Sequence, residues 1–327
     1  MKTNLPKCFV IVMAVLLTGG ASAPKGQILL RNKFTPGETR RYEMNQDQTF
    51  TITRQDNNET RNVTKNTVVD MINKVEAVDG KSNASITVLM DRVRMKVKGV
   101  QDVALDYDTA SQEKPKGPTK ILALICDVLT KQPFTIKESP LGKISDVKPP
   151  EGLSEAVKKA ATAAAQMNDT VPSEEELSDP IKNGNRIIFP EGPVSEGKTW
   201  TMNEDKKYYV RMGPYIGEGV QKITTTFCYL GQENKDGKNL DKISVTETLR
   251  SPGKIKVPTD PNTNVQLKSL STTGTIYFDN AAGAVVDYNS HCEMKMAVIA
   301  NNDGQQMSFG VVFTSVNTSK LVPVDSK

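Results

Sequence analysis

Histidine, tryptophan and cysteine are scarce in this 327-residue chain, which has one His, one Trp and four Cys, with aromatic residues at only 6%. A metal site needs ligands at workable spacing. No H-x-x-x-H or C-x-x-C occurs, and His291 has only Cys292, Asp287 and Glu293 near it in sequence. No metal or cofactor is expected, and His291 reads as an ordinary, partly exposed strand residue. The nucleophile elbow G-x-S-x-G, the phosphate-binding P-loop and the dinucleotide fingerprint G-x-G-x-x-G are absent too. Gly213 to Gly219 is glycine-rich, but it lacks a Lys-Ser/Thr pair and reads as a loop. Carboxylates are scattered, so a hydrolase pair stays open on sequence. A single tryptophan leaves little for the aromatic platforms that sugar clefts use.

An excess of one charge is lacking as well. The 42 basic and 38 acidic residues leave +4, too even to point to nucleic acid or an anionic membrane surface. A spanning helix needs about 20 apolar residues, and the apolar run Cys8 to Leu17 is too short. It follows Lys2 and Lys7 and precedes small residues ending in Ala21-Ser22-Ala23. That is the pattern of an export signal. The chain is therefore expected to be secreted or periplasmic, cut after Ala21 or Ala23, with no transmembrane segment in the mature protein. Cys8 leaves with the signal, and the odd number that remains, Cys126, Cys228 and Cys292, argues against a disulfide framework. Cys228 and Cys292 are the one candidate pair, and Cys126 reads as a buried free thiol.

What the chain has instead is long alternation. From Val68 to Val97, two period-2 strands meet at Asp79-Gly80, a turn signal because glycine accepts positive φ. The design returns from Gly219 to Leu249, with Asp236-Gly237 in the turn. Strands are expected over 40–53, 61–77 and 84–98, and in the tail near 294–300 and 307–315. Strands this long favour a broad, curved antiparallel sheet. Two segments break the pattern. Thr119 to Thr130 repeats Leu122, Ile125, Cys126 and Leu129 at helical spacing behind a Thr119 cap. Leu153 to Met167 puts Leu153, Val157, Ala160, Ala164 and Met167 on one helical face. Ser173-Glu-Glu-Glu176 is a capping box for one further short helix, and residues 24–33 read as a flexible lead.

The order of these signals repeats. Turn, Asp-Gly hairpin and strand-turn-strand come as Gly37, Gly80 and Gly142, then as Gly197, Gly237 and Gly283. The expected fold class is α+β, β-dominated: long antiparallel curved sheets in two similar halves, with a few helices at about 119–130 and 153–167. The layout is a signal peptide over 1–23, a first β-rich half over 24–167, a connection over 168–188 and a second half over 189–327. Internal duplication is the reading.

Two features bear on a ligand. Asp91 to Lys98 alternates, with Arg92, Arg94, Lys96 and Lys98 on one face and Val93, Met95 and Val97 on the other. Four cations on one face suit an anionic head group. The competing reading is a solvated face neutralised by Asp70 and Glu76 on the paired strand. The helix over 119–130 is apolar nearly all round, so it either buries itself against the sheet or closes, through Leu122, Ile125 and Leu129, over an apolar ligand. Asn58, Asn62, Asn83, Asn168 and Asn317 sit in Asn-x-Ser/Thr acceptor patterns, which matter only in a host that glycosylates.

The export signal, Phe34-x-Pro36-Gly37 ahead of Tyr42, Asp91-Arg-Val-Arg-Met95, and Pro133-Phe-Thr135 leading to Gly142 together resemble a family of secreted bacterial β-rich proteins with no assigned activity. The likeness spans most of the mature chain. In architecture it looks like the half-barrel lipoprotein carriers of bacterial envelopes, which hold acyl chains against a concave sheet. What this implies rests on fold alone. The expectation is a non-catalytic binding protein for an apolar or amphiphilic ligand. The alternative is a structural or interaction protein of the envelope, with a hydrolase behind both. Partners are an amphiphilic small molecule or an envelope component, not nucleic acid.

Overall fold

A computed structural model describes residues 26–324 apart from 101–102, 114–115, 117, 167–170, 184–186, 213–214, 252, 256, 258–261 and 303–304. The export signal with Cys8, and Met167, lie outside the described residues. The chain runs β1 (Thr39–Arg54), β2 (Thr60–Val78), β3 (Ala84–Val100), β4 (Val103–Asp108), α1 (Pro118–Lys131), β5 (Phe134–Glu138), β6 (Ile144–Lys148), α2 (Leu153–Ala165) and α3 (Glu174–Asn183). It continues with β7 (Thr199–Met212), β8 (Tyr215–Lys235), β9 (Lys238–Leu249), β10 (Gly253–Ile255), β11 (Thr263–Asp279), β12 (Ala284–Asn302) and β13 (Gln305–Val322). The fold is α+β and β-dominated, as expected. Its strands form one 13-stranded antiparallel sheet that does not close. Among the described residues no helix is long and apolar enough to cross a membrane.

Strand order is β6-β5-β3-β2-β1-β13-β12-β11-β9-β8-β7, with β4 beside β3 and β10 beside β11. Along this path the five strands on one side of β13 reappear on the other with each number raised by six, while the side strands depart from the pattern, β4 pairing with β3 but β10 with β11. The turns into β1 and β7 are also built alike. Gly37 (φ 83°) donates its N–H to the Val75 carbonyl at 2.8 Å, and Gly197 (φ 79°) donates to the Tyr229 carbonyl at 2.8 Å. The β8–β9 turn has the expected chemistry, with Asp236 at φ 53° and Gly237 at φ 79°. The β2–β3 turn does not. There Ser82, not Gly80, takes the positive φ, because the Asp79 carboxylate accepts the N–H groups of Lys81 at 2.9 Å and Asn83 at 3.0 Å and closes a longer turn.

One sheet face carries most of the core. On β3 a bulge at Asp91 shifts the register from Met71↔Met90 to Asp70↔Arg92, so Val88 and Met90 share this inner face with Val93 and Met95. Over the first half α1 and α2 cover it, burying Ile86, Val88, Ile125, Leu129, Phe134 and Leu153 together. The sheet curls round this face. Leu141, between β5 and β6 at one end of the strand order, packs in one cluster with Trp200 of β7 at the other end.

Three local expectations need correction. The flexible lead is not loose where it is described: Leu30 is 0% exposed, Ile28 bridges Val194, and the Asn32 N–H donates to the Pro140 carbonyl at 2.8 Å. It straps one end of the curled sheet. Arg40 locks the strap by donating to Glu38 at 2.6 Å and to the carbonyls of Lys33 at 2.7 Å and Gly283 at 3.2 Å. Gly217 and Gly219 lie in β8, not in a loop. A Cβ on Gly219 would stand 2.9 Å from the Lys254 carbonyl oxygen, so the glycine lets β10 pass close over β8. Thr119 lies inside α1 instead of capping it, and its hydroxyl donates back to the Lys116 carbonyl at 2.6 Å. The capping box forms as read: the Ser173 N–H donates to Glu176 at 2.6 Å and the Glu176 N–H to Ser173 Oγ at 3.2 Å.

Candidate functional site

The structure separates the two features that the sequence offered as one site. Ile125 and Leu129 of α1 are 4% and 7% exposed and pack on the sheet, while Leu122 packs with Val93 and Tyr107. Val93 is on the inner face, so alternation puts Arg92, Arg94, Lys96 and Lys98 on the other side of β3. Those cations are largely neutralised. Arg92 binds both Asp108 carboxylate oxygens at 2.9 and 2.5 Å, Arg94 meets Asp70 at 3.3 Å and Lys96 meets Asp106 at 3.2 Å. Lys98 is exposed. Asp70 serves as foreseen, but Glu76 does not: it bonds Lys74 at 3.0 Å and Thr87 Oγ1 at 2.8 Å. A cavity of about 330 Å³ beside Arg92 is lined by Arg41, Asp70 and Asp91, and Arg41 and Asp91 pair at 3.1 Å.

The cysteines follow the same face logic. Cys126 is a free thiol, 4% exposed against Tyr107, and burial pushes its pKa up to about 12. The Cys228–Cys292 bridge is not formed, and both are free thiols. Phe227 and Thr272 are on the inner face, so Cys228, next to Phe227, points outward. Cys292, opposite Thr272, points inward. With β9 and β11 between their strands they are about three strand spacings apart, roughly 14 Å, too far for a disulfide.

A different constellation emerges on the inner face, where register carries side chains of distant sequence into line. One row crosses nine strands as Val97, Lys65, Gln48, Ser315, Cys292, Thr272, Glu247, Thr225 and Met202. Most of it is polar. The adjacent row includes Thr67, Gln46, Asn317 and Ser290. There the Gln46 amide donates to Asn317 Oδ1 at 2.8 Å, and the Asn317 amide donates to Ser290 Oγ at 3.3 Å. This belt separates an apolar cluster around Phe227 and Phe278 from another around Leu267 and Val298. Its densest charge is Lys206, which meets Glu247 at 2.6 Å and Glu204 at 3.1 Å with all three side chains at most 18% exposed. Burial alone would lower the Lys206 pKa, but Glu247 and then Glu204 outweigh it and hold the ammonium above the ordinary lysine value. Burial raises Tyr208 and Tyr288, with Glu247 adding to both.

Between the helix-covered half and the second core, the inner face of β1 and β13 stays partly open. Met44 is 39% exposed, between Val69 and Ser319 in register. Phe50 and Phe313 pair across the strands with ring centroids 4.8 Å apart, and both are half-buried. Sequence reading missed this strip and the belt. Alternation marks which residues share a face, but pairing across 271 positions, as between Gln46 and Asn317, has no local signature.

At the strapped end, Glu138 accepts from the Asn32 amide at 2.7 Å, and burial pushes its pKa up to about 7 against the pull of Arg40. The folded protein then holds a proton that the unfolded chain releases near the ordinary glutamate value. Stability therefore falls as pH rises from about 4.5 to about 7. Glu138→Gln keeps the acceptor for Asn32 and removes this cost. It is expected to add roughly 1–2 kcal/mol above neutrality and nothing below the ordinary glutamate range, as read by thermal unfolding across pH.

A family model described as "Family of unknown function (DUF6263)" matches residues 81–285. No curated protein sequence matches the chain. Among solved structures, lipovitellin, described in terms of lipid–protein interactions, aligns at 13% identity and a TM-score of 0.44, over 90% of this chain and 26% of that one. This chain therefore spans about a quarter of the lipovitellin chain. The hypothetical lipoprotein YmcC of Escherichia coli aligns at 11% identity and TM-score 0.20, over 82% and 85% of the two chains. An outer membrane channel of Pseudomonas putida aligns at 8% and 0.24, over 89% and 97%.

Proposed function

The chain belongs to the family of unknown function DUF6263, a membership that brings no activity with it, and we propose that it is a non-catalytic binding protein for an amphiphilic small molecule, held on the inner face of the curled sheet. The observation that carries this is the open strip on β1 and β13. An interior-facing methionine at 39% exposure and a half-buried Phe pair leave apolar surface that the protein's own helices do not cover. Closed cores have no such surface. The polar belt crosses the strip between Met44 and Phe50, so one molecule with an apolar tail and a polar head satisfies both. An exported location accords with the N-terminal signal pattern.

We read the two halves as copies of one unit. Support comes from the strand order repeated across β13 and from the matched Gly37 and Gly197 turns. In this reading helices α1 and α2 fill the inner face of one copy, and the ligand lies beside them.

The test is extraction of the purified exported protein into organic solvent followed by mass spectrometry, with titration of a fluorescent acyl probe. A co-purified amphiphile, or saturable one-to-one probe binding, is expected. Protein that carries nothing and binds no acyl probe would overturn the proposal.

A further inference from the structure

We infer that Lys65, Gln48 and Thr67 on the inner face hold the head group of the ligand, and that this head is a carboxylate, so the molecule bound is a long-chain anionic amphiphile. The inference rests on the amphiphile reading and narrows it to a chemical class. Lys65 and Gln48 face each other in register on neighbouring strands, and Thr67 follows Lys65 two residues along on the same face. Opposed side chains of this kind stand about 5 Å apart, and successive ones on a face about 7 Å. Three groups are thus set round one small space.

Two of the three, Lys65 and Thr67, lack partners among the described residues. Among the described residues no carboxylate pairs with the Lys65 ammonium, whereas the belt's other lysine, Lys206, has two. Thr67 Oγ1 is buried with no hydrogen-bond partner. Burial lowers the pKa of Lys65, with only Cys126 opposing. A desolvated ammonium beside an unsatisfied hydroxyl costs the free protein stability, and a bound anion removes both penalties. One cation matches one negative charge, which selects a carboxylate over a dianionic phosphate. The neighbouring row supplies the tail's surface, since Phe50 lies two residues from Gln48 and packs at a tilt against Phe313.

The experiment compares laurate with dodecanol by isothermal titration against the full mature chain and two variants, Lys65→Met and Lys96→Met. The unmodified protein is expected to favour laurate by about tenfold or more, the scale of one charged hydrogen bond. Lys65→Met should abolish that preference while its melting temperature stays level or rises, because the ammonium has no partner to lose. Lys65→Arg should keep the preference, and Lys96→Met on the outer face should bind as the unmodified protein does. A preference that survives Lys65→Met, or that falls equally in Lys96→Met, overturns the assignment of the head group and leaves the amphiphile reading standing. Failure of both laurate and dodecanol to bind overturns both.

Discussion

Leu30→Ala is expected to destabilise the protein by about 3–4 kcal/mol, the middle of the range for a leucine truncated in a well-packed core. Leu30 is 0% exposed and packs with Phe189, Val194 and Phe278, so its removal opens a cavity among rings and strands that cannot shift to fill it. The residue belongs to a strap from before β1 that buries itself in the second half. The same segment is held by Arg40 and by the Asn32–Pro140 hydrogen bond, so loosening it exposes both ends of the curled sheet. Leu29, 48% exposed, is the internal control, and Leu29→Ala should change stability by less than about 0.5 kcal/mol. Urea unfolding of the two variants decides the matter. Equal, small losses would mean that the strap adds nothing to the core.

Lys206→Met is expected to cost about 3 kcal/mol at neutral pH, because it leaves Glu204 and Glu247 without their cation in a site at most 18% exposed. Two signatures separate this from a simple packing loss. First, protonation of one carboxylate relieves the repulsion, so the deficit of the variant should shrink as pH falls towards about 4. In the unmodified protein the sign is the reverse: the Lys206 ammonium is held above its ordinary value, so its stabilisation is complete at neutral pH and is lost only as pH rises through the alkaline range. Second, Lys206→Met combined with Glu247→Leu should recover much of the loss, since the double variant removes an unpaired charge along with its partner. Denaturant titrations at neutral and acidic pH measure both. A deficit independent of pH, or no recovery in the double variant, would show that the triad is not an electrostatic unit.

Much of the fold was legible in the sequence because its causes are local. Period-2 alternation over Val68–Val97 comes from side chains that leave a strand on alternate faces, and β2 and β3 follow it closely. The helices at Pro118–Lys131 and Leu153–Ala165 are where apolar residues recur at helical spacing. Where competing local bonds existed, the signal misled. Asp79 moved the turn from Gly80 to Ser82, and Gly219 marked close strand approach instead of a loop.

The candidate site was not legible in the same way. Arg92, Arg94, Lys96 and Lys98 drew attention because their pattern is contiguous, yet Asp108, Asp70 and Asp106 answer most of that charge. Lys65, Gln48 and Ser315 carry no pattern, since each sits alone in an unremarkable polar stretch.

The sequence by itself determined fold class, most strand and helix positions, the face on which each strand residue lies and the burial of Cys126. The tertiary structure alone decided which faces look inward and which rows line up across the sheet. It also decided that the lead straps the core, that Cys228 and Cys292 point apart, and that one lysine on the inner face has no carboxylate partner among the described residues. The reason is physical: alternation and helical spacing act between residues a few positions apart, whereas register, burial and charge pairing depend on contacts that form only when strands from both ends of the chain are brought side by side.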